Sequence, residues 1–292
     1  METEMKKLYN YIWIDRNGEP RVKYYLSENP EVQTYDASST HEATINNSSA
    51  MLTPISTSDV DVICSTPFDY RDKLKDLLKK IPDTLRVGIE QEFYIDGNPE
   101  LVRDGHYCKS LGYGHEVFMT ILHDLVREGL PITGGHQEVG SGQYEIQLSG
   151  DPLDICDQIV YMRHLIQKSA NSHNKNILFG PKPFRKASGS GMHIHISYKD
   201  IPKLNIRDWA NSLQKAHSKE WVLKYYGDGN DKRLNGECET CHIDECSIGQ
   251  KGDRSAAIRV LDDRLEDRRV GANCVPYKAV YGLLKTIYRG KI

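Results

Sequence analysis

Alternating apolar and polar positions near the middle of the chain predict a half-buried β-strand. Between residues 85 and 96 the odd positions are apolar, with Gln91 as the exception, and most even positions carry polar residues or glycine. Successive side chains of a strand point to opposite faces, so Glu90 and Glu92 are expected on the same polar face. Two close carboxylates raise each other's pKa unless a cation neutralises them. The pair indicates a metal site or an acid/base dyad; the alternative is a solvated sheet face.

The same alternation recurs in two later segments. In residues 142–149 the polar positions include Glu145, and in residues 192–198 His193 and His195 share the polar face. Glu138 precedes Glu145 across a glycine-containing bend that can return it to the same cavity. A single histidine on a strand is usually structural, but two on a polar face favour a functional site.

Apolar residues at three- and four-residue spacing predict the helices. The helical segments are 70–82, 113–129, 151–173, 205–225 and 275–289. Residues 8–66 instead read as short strands, near 9–15, 21–26 and 60–64, with a polar loop at 35–40. Strands followed by mixed strands and helices indicate an α+β protein with two domains, residues 1–84 and 85–292.

Composition and charge narrow the classes of function. The chain has 292 residues, 38% of them hydrophobic and 27% charged, and a net charge of -3. Without a strongly basic stretch, nucleic acid is not expected as the main partner. No apolar run reaches the roughly 18–20 residues that span a bilayer, and the N-terminus lacks the order of a signal peptide. We therefore expect a cytoplasmic protein with no membrane partner.

One cysteine cluster has the spacing of a cofactor site. Cys238, Cys241 and His242 form C-x-x-C-H, the pattern that attaches c-type haem and also permits zinc, and Cys246 follows. Haem attachment requires an export signal, which the sequence does not show. A zinc site requires a fourth ligand with comparable spacing, and no second C-x-x-C occurs. Chance clustering in a polar loop is the preferred interpretation.

Towards the C-terminus the sign of the charge changes. Five arginines crowd into sixteen residues around Glu266: Arg254, Arg259, Arg264, Arg268 and Arg269. Their forked guanidinium groups suit phosphate or carboxylate recognition. The glutamates and a histidine could share one cavity only with divalent cations, for which oxygen-rich ligands favour Mg²⁺ or Mn²⁺. Metals and arginines around a polyphosphate indicate phosphoryl transfer, and the absence of a Walker A pattern excludes an ordinary P-loop enzyme.

The same residues carry a resemblance to the glutamine synthetase family, most closely its eukaryotic-type branch, in a shortened form. The matching stretches run in family order over nearly the whole chain: Tyr11-Ile-Trp-Ile-Asp15, Tyr35-Asp-Ala-Ser-Ser-Thr40, Gly88-Ile-Glu-Gln-Glu-Phe93, Glu138-Val-Gly-Ser-Gly-Gln-Tyr-Glu145, Pro181-Lys-Pro183, Gly189-Ser-Gly-Met-His193, Arg233-Leu-Asn-Gly236, Arg254-Ser-Ala-Ala-Ile-Arg259 and Glu266-Asp-Arg-Arg269 with Asn273-Cys274. One stretch alone would be weak, but the ordered set is highly specific.

The resemblance implies a fold and a reaction. The fold is an N-terminal β-grasp domain followed by a catalytic domain whose antiparallel strands form a funnel with flanking helices. The reaction is the ATP-dependent joining of ammonia to glutamate through γ-glutamyl phosphate, part of glutamine biosynthesis and nitrogen metabolism. The resemblance also implies a homo-oligomer of stacked rings with active sites between subunits, and two or more Mg²⁺ or Mn²⁺ ions in each site.

Roles for individual residues follow from the resemblance by motif match. One metal ion, nearer glutamate, is assigned to Glu92, Glu138 and Glu145; the other, which bridges the ATP phosphates, is assigned to Glu90, His193 and Glu266. The residues assigned to binding glutamate are Gly189, Arg233 and Arg268. Those assigned to the ATP phosphates and the transferred phosphoryl group are Arg254 and Arg259. Asp36, from the neighbouring subunit, resembles the acid that binds and deprotonates ammonium. Glu239 resembles the flap residue that covers the intermediate, which places Cys238 in that flap and removes the haem interpretation.

The sequence departs from the family pattern at several positions. Ser188 stands where the family usually has asparagine, and Ala37 follows Asp36 where it usually has glycine. Val270 and Val275 replace a usual proline and aspartate. The chain ends soon after Asn273-Cys274, and the loops between motifs are shorter than is usual.

Two alternatives to glutamine synthesis remain open from the sequence. A related ligase could join an amine or polyamine to glutamate, although an acid at the position of Asp36 favours a small cation such as ammonium. A non-catalytic relative would be expected to have lost metal ligands, and each of the positions assigned above retains one.

Overall fold

The structure is a computed structural model that describes residues 5–96, 112–198, 203–237 and 239–289. Its first layer is a five-stranded sheet in the order β2-β1-β5-β4-β3. The strands are β1 (Lys7–Ile14), β2 (Pro20–Ser27), β3 (Gln33–Asp36), β4 (Ser49–Ser58) and β5 (Asp61–Ser65). β1 and β5 run parallel, whereas the other pairs are antiparallel.

Two strands of this first sheet, β3 and β4, were not predicted from the sequence, and β3 includes Tyr35 and Asp36 of the segment expected to be a loop. β4 is rich in serine and threonine, and its pairing with β5 is irregular between Pro54 and Ser56. Only Ala50 and Leu52 of this strand are buried, so its apolar signal is weak. Pairing with β3 and β5 forms the strand despite that weak local signal.

The second sheet has eight strands in the order β11-β12-β13-β10-β6-β8-β7, with β9 paired to β6. Its strands are β6 (Leu85–Ile95), β7 (Ile132–Gln137), β8 (Gln143–Gly150), β9 (Ile177–Leu178), β10 (Met192–Tyr198), β11 (Ile248–Gln250), β12 (Ile258–Val260) and β13 (Arg264–Asp267). All pairs are antiparallel except β11 with β12. The expected antiparallel strands are therefore present.

The helices begin and end close to the predicted bounds. They are α1 (Arg71–Leu78), α2 (His115–Arg127), α3 (Pro152–Ser172), α4 (Lys203–Ala216), α5 (Lys219–Tyr225) and α6 (Pro276–Ile287). The single helix predicted for 205–225 is wrong, because Ser218 adopts an extended backbone and its hydroxyl accepts the Trp221 amide at 3.1 Å. A serine in that geometry caps a new helix. No helix of the described residues is long and apolar enough to cross a bilayer.

One hydrophobic core joins the two sheets. Ile12, Ile14 and Ile63 of the first sheet belong to the same buried cluster as the apolar face of β6 and the inner side of α3. The predicted boundary between residues 84 and 85 falls between α1 and β6, and the division into two domains stays a prediction.

Gln91, the polar exception on the apolar face of β6, has a buried partner. Arg163 of α3 is fully buried and donates to the Gln91 side-chain oxygen at 2.7 and 2.9 Å. Its other donors reach the carbonyl oxygens of Gly18 and Ala272, at 2.9 and 2.7 Å. Arg163 thus connects a turn of the first sheet to the back of the strand that carries Glu90 and Glu92.

We expect Arg163→Met to lower the free energy of unfolding by about 3 kcal/mol, because it leaves several buried acceptors without a donor. Urea unfolding followed by circular dichroism measures the change. Arg127→Met is the matched control: this arginine is exposed on α2 and pairs with Asp124 at the surface, so a loss below about 1 kcal/mol is expected. Equal losses for the two variants would contradict the assigned role of Arg163.

Candidate active site

Three rows of side chains cross one face of the second sheet. The first row runs from His136 on β7 through Glu145 on β8 to Glu92 on β6. The second row consists of Gln147, Glu90 and His193, and the third of Gly88, His195, Glu266 and Arg259. Residues two apart along a strand share a face, so the rows place these side chains on the same side of the sheet.

A cavity of about 150 Å³ opens over these rows. Its lining is predominantly polar and includes all of the site residues predicted from the sequence except Glu266 and Asp36. The predicted residues that line it are Glu90, Glu92, Glu138, Glu145, Gly189, His193, Arg233, Glu239, Arg254, Arg259 and Arg268. Segments that are far apart in the sequence therefore converge on one polar space.

Glu92 lies close to two further carboxylates, those of Glu138 and Glu145. Its carboxylate accepts the Gly191 amide at 2.9 Å and the Gln143 side-chain amide at 3.0 Å. Burial raises the pKa of Glu92 well above its usual value, and the charges of Glu138 and Glu145 raise it further. A divalent cation at this place would reverse that effect by neutralising the carboxylates.

Glu90 lies between two histidines. Its carboxylate oxygens are 3.2 Å from His193 Nδ1 and 3.0 Å from His195 Nε2. Burial alone would raise the pKa of Glu90, but its contacts with the two imidazoles outweigh burial and hold the pKa well below its usual value. Glu90 is therefore a carboxylate at neutral pH and can serve as a ligand.

The carboxylates and histidines fit divalent cations. In the described residues, ligand atoms lie within 4.8 Å of one another in three groups: Glu90 with His195 and Glu266, Glu90 with Glu145 and His193, and His136 with Glu138 and Glu145. Oxygen donors with few imidazoles suit Mg²⁺ or Mn²⁺. The pKa of Glu92 is raised first by its burial and then by the charges of Glu138 and Glu145, and this donor set fits the metal ions implied by the resemblance.

Arginines line the same cavity close to these ligands. Glu266 Oε2 accepts a hydrogen bond from Arg259 at 2.5 Å, and Glu266 Oε1 accepts one from Arg268 at 2.9 Å. Arg233 is buried, with one terminal nitrogen 3.1 Å from His193 Nε2. The buried Nε atoms of all three arginines lack a hydrogen-bond partner among the described residues. Donors held in this way suit an anionic substrate.

Gly189 and Glu239 complete the rim near Arg233 and Arg268. A Cβ on Gly189 would lie 2.6 Å from the Arg233 side chain, so this position requires glycine. Glu239 has a positive φ of 62°, and its carbonyl accepts a hydrogen bond from Arg268 at 3.2 Å. Arg254 lines the cavity as an exposed side chain. Ser188, one of the departures from the family pattern, lines the cavity with a buried hydroxyl that lacks a described partner.

Asp36 is not among the residues that line the cavity. It ends β3, and its carboxylate accepts the Ser38 hydroxyl at 2.6 Å and the Ser38 amide at 3.0 Å. These hydrogen bonds lower the pKa of Asp36. The side chain is exposed, and it was predicted to serve a neighbouring subunit.

His136 was not among the site residues predicted from the sequence. The sequence did contain an indication of its place. His136 and Glu138 are two residues apart, as Glu90 and Glu92 are, and residues two apart on a strand share a face. The His136 ring contacts Glu145, with Nε2 3.3 Å from Oε1, and that interaction raises the pKa of His136 to about 9. The cavity therefore has a further imidazole close to two of the predicted metal ligands.

A second cavity, of about 550 Å³, adjoins the first at Glu90 and Gln147. Its walls include Arg86, Ser197 and Arg264, together with His195 and the backbone around Gly88. Gly88 and His195 of the third row thus border a larger and less charged space. No pattern in the sequence analysis had indicated it.

The cysteine cluster does not contribute to these ligand groups. Cys241 is buried, and Cys246 lies 3.3 Å from an Arg269 nitrogen. The ligand groups found in the described ranges contain only glutamate and histidine. Cys238 lies outside the described residues.

Comparisons with known proteins agree with the geometry. The family model described as the glutamine synthetase catalytic domain matches residues 71–208. Glutamine synthetase of Streptomyces viridochromogenes is 30% identical over 94% of this chain and 95% of its own length. Glutamine synthetase of Neurospora crassa is 27% identical over 95% of this chain and 91% of its own length. The chloroplastic glutamine synthetase of Chlamydomonas reinhardtii is 28% identical over 96% of this chain and 90% of its own length.

These alignments are longer than the chain itself. They extend over 331 to 346 positions, against 292 residues in this sequence. The relatives therefore carry residues between the shared segments that this chain lacks. That difference agrees with the shortened form and the trimmed loops expected from the motifs.

Proposed function

Because the chain belongs to the glutamine synthetase family of ligases, we propose that it makes glutamine from L-glutamate, ammonia and ATP. The observation that carries this proposal is the juxtaposition of carboxylates, histidines and arginines around one cavity. Carboxylates that can bind cations beside arginines that can bind anions suit phosphoryl transfer, in which positioning and charge stabilisation provide most of the catalysis.

Divalent cations fit the carboxylates that line the cavity and, when bound, would neutralise the charge of the phosphate oxygens. We assign Glu92, Glu138 and Glu145 to the cation nearer glutamate and Glu90, His193 and Glu266 to the cation nearer ATP. Gln143 orients Glu92 by a hydrogen bond of 3.0 Å. Such fixed hydrogen bonds hold ligand carboxylates in place.

The arginines position the two reacting anions. Arg233 and Arg268 bind the carboxylate of glutamate, and Gly189, which lines the cavity beside Arg233, lies at its amino group. Arg254 and Arg259 bind the phosphates of ATP, and the second cavity holds the nucleoside. A γ-carboxylate oxygen then attacks the γ-phosphorus, and ADP leaves.

The second step replaces phosphate by ammonia. Ammonia attacks the acyl carbon of γ-glutamyl phosphate, the acyl–oxygen bond breaks, and phosphate leaves with the proton that the nitrogen gives up. Glu239, on the rim, excludes water from the acyl phosphate and so prevents its hydrolysis. Asp36 of a neighbouring subunit takes the proton from ammonium.

The assay that tests this function measures both products. Purified protein with glutamate, ammonia, ATP and Mg²⁺ is expected to release glutamine and phosphate in equal amounts. Phosphate release that depends on neither glutamate nor ammonia would overturn the proposal. Methylamine replaces ammonia in a parallel assay, and a higher rate with methylamine would identify an amine ligase instead.

The position of Asp36 supports a site shared between subunits. We propose that the first sheet is a β-grasp domain that presents Asp36 to the next subunit of a ring. Because each complete site then needs two chains, Asp36→Ala and Glu90→Gln should each be inactive alone. After co-expression, mixed oligomers should recover activity, since some sites receive an intact residue from each chain.

Co-expressed chains with two different affinity tags allow the mixed oligomers to be isolated and assayed. The matched control combines Glu90→Gln with Glu92→Gln, two changes within one cavity, which cannot complement each other. Mixed oligomers of Asp36→Ala and Glu90→Gln that stay as inactive as this control would contradict the shared site.

A further inference from the structure

His136 lies where it can reach the same ion as two carboxylates. On β7 it is paired directly with Glu145 of β8. Its Nε2 is 3.3 Å from Glu145 Oε1, and its Nδ1 is 3.6 Å from Glu138 Oε1. The ring lines the cavity and is mostly buried, with 23% of the side chain exposed. His136 therefore borders the space between these carboxylates.

The spacing fits shared coordination. Two ligands bound at about 2.1 Å and separated by about 90–110° lie roughly 3.0–3.4 Å from each other. The distance from His136 Nε2 to Glu145 Oε1 falls in that range. Gln147 donates to the same Glu145 oxygen at 2.7 Å, which holds the carboxylate in its orientation.

A backbone contact assigns the two ring nitrogens different roles. His136 Nδ1 is 3.1 Å from the carbonyl oxygen of Gln137. A carbonyl oxygen can only accept a hydrogen bond, so Nδ1 carries the proton. When a cation binds between them, Nε2 gives up its proton and directs its lone pair at the ion in place of a hydrogen bond to Glu145. Ligand histidines typically have this arrangement, with one nitrogen on the metal and the other donating to a backbone carbonyl.

We infer that His136 supplies a nitrogen ligand, through Nε2, to the cation held by Glu138 and Glu145. This inference rests on the proposed function, which assigns a cation to these two carboxylates. An imidazole in place of an oxygen ligand favours Mn²⁺ over Mg²⁺, because Mg²⁺ prefers oxygen whereas Mn²⁺ accepts nitrogen as well. His136 thus determines which divalent cation the glutamate side selects.

The test measures the dissociation constants of Mn²⁺ and Mg²⁺ in the full-length protein by calorimetry. His136→Asn and His136→Gln should each weaken Mn²⁺ binding about tenfold or more and Mg²⁺ binding less than about threefold. Two variants are used, with circular dichroism as a folding check, so that one poorly folded protein does not decide the result. The matched control is His123→Asn, which changes an exposed histidine of α2 and should leave both constants unchanged.

A spectroscopic readout locates the nitrogen. In protein carrying His193→Asn and His195→Asn, bound Mn²⁺ should still show coupling to a ¹⁴N nucleus in pulsed electron paramagnetic resonance. Adding His136→Asn should abolish that coupling. An unchanged ratio of the two dissociation constants, or no ¹⁴N coupling once His193 and His195 are replaced, would overturn the inference.

Glu145→Gln separates failure of this inference from failure of the proposed function. If Glu145→Gln removes one bound cation while His136→Asn changes neither constant, the carboxylate site stands and only the role of His136 is wrong. If Glu145→Gln leaves the cation stoichiometry and affinity unchanged, the assigned metal site is wrong, and the inference fails with it.

Discussion

Glu90→Gln is expected to lower kcat/KM for glutamine formation by about 10³-fold. Glu90 is central to the second row of side chains, it contacts both His193 and His195, and it borders both cavities. It also belongs to two of the three groups with metal-ligand spacing that the described residues form. Glutamine keeps the size of the side chain but removes the charge. Loss of one fixed charge at a phosphoryl-transfer site typically costs several kcal/mol of transition-state stabilisation.

The measurement combines steady-state kinetics with the number of Mn²⁺ ions bound. Glu116→Gln provides a matched control, because this glutamate is exposed in the first turn of α2 and lies outside both cavities. Circular dichroism should show the same fold for the two variants and the unmodified protein. Activity of Glu90→Gln within threefold of the control would contradict the assignment of Glu90.

Arg233→Lys and Glu266→Gln are expected to affect different substrates. Arg233 is buried beside His193, and lysine cannot reproduce its forked donors, so the KM for glutamate should rise about 10- to 100-fold. Glu266 holds Arg259 and Arg268 and lies 3.8 Å from His193. Neutralising it should raise the KM for ATP with Mg²⁺ about tenfold and change the KM for glutamate less.

Initial rates with each substrate varied at saturating concentrations of the other separate these effects. Arg86→Lys is the control for the arginine-to-lysine change. Arg86 borders the larger cavity, away from the proposed glutamate site, and pairs with Asp151. It should leave the KM for glutamate unchanged. Identical shifts in both KM values for Arg233→Lys and Glu266→Gln would contradict the division of roles between them.

Local patterns predicted much of the molecule. Strand geometry predicted that Glu90 and Glu92 share one face of β6, and both side chains line the cavity. The family was also predictable, because its motifs occur in order along the chain, and the comparisons confirm it. Helix bounds came within a few residues, since the spacing of apolar positions and the positions of prolines are local properties.

The wrong or missing predictions share a cause. Apolar spacing continues through His217 and Ser218, so the pattern predicted one helix where the capping geometry of Ser218 makes two. β4 has few buried residues and forms because strands pair on both of its sides. His136 was missed because its strand contains two glycines and has little apolar alternation, and only its pairing with Glu145 brings it into the cavity.

The sequence by itself determined the family, the enzyme class and which residues share a strand face, because these depend on residue identity and on the two-residue repeat of a strand. Only the tertiary structure decided which faces meet. The register between β6, β8 and β10 sets Glu92 opposite Glu145 and Glu90 opposite His193, and the β7–β8 pair adds His136. Register depends on hydrogen bonds between segments far apart in the chain. A one-residue slip in any pair would turn half of the ligands away from the cavity.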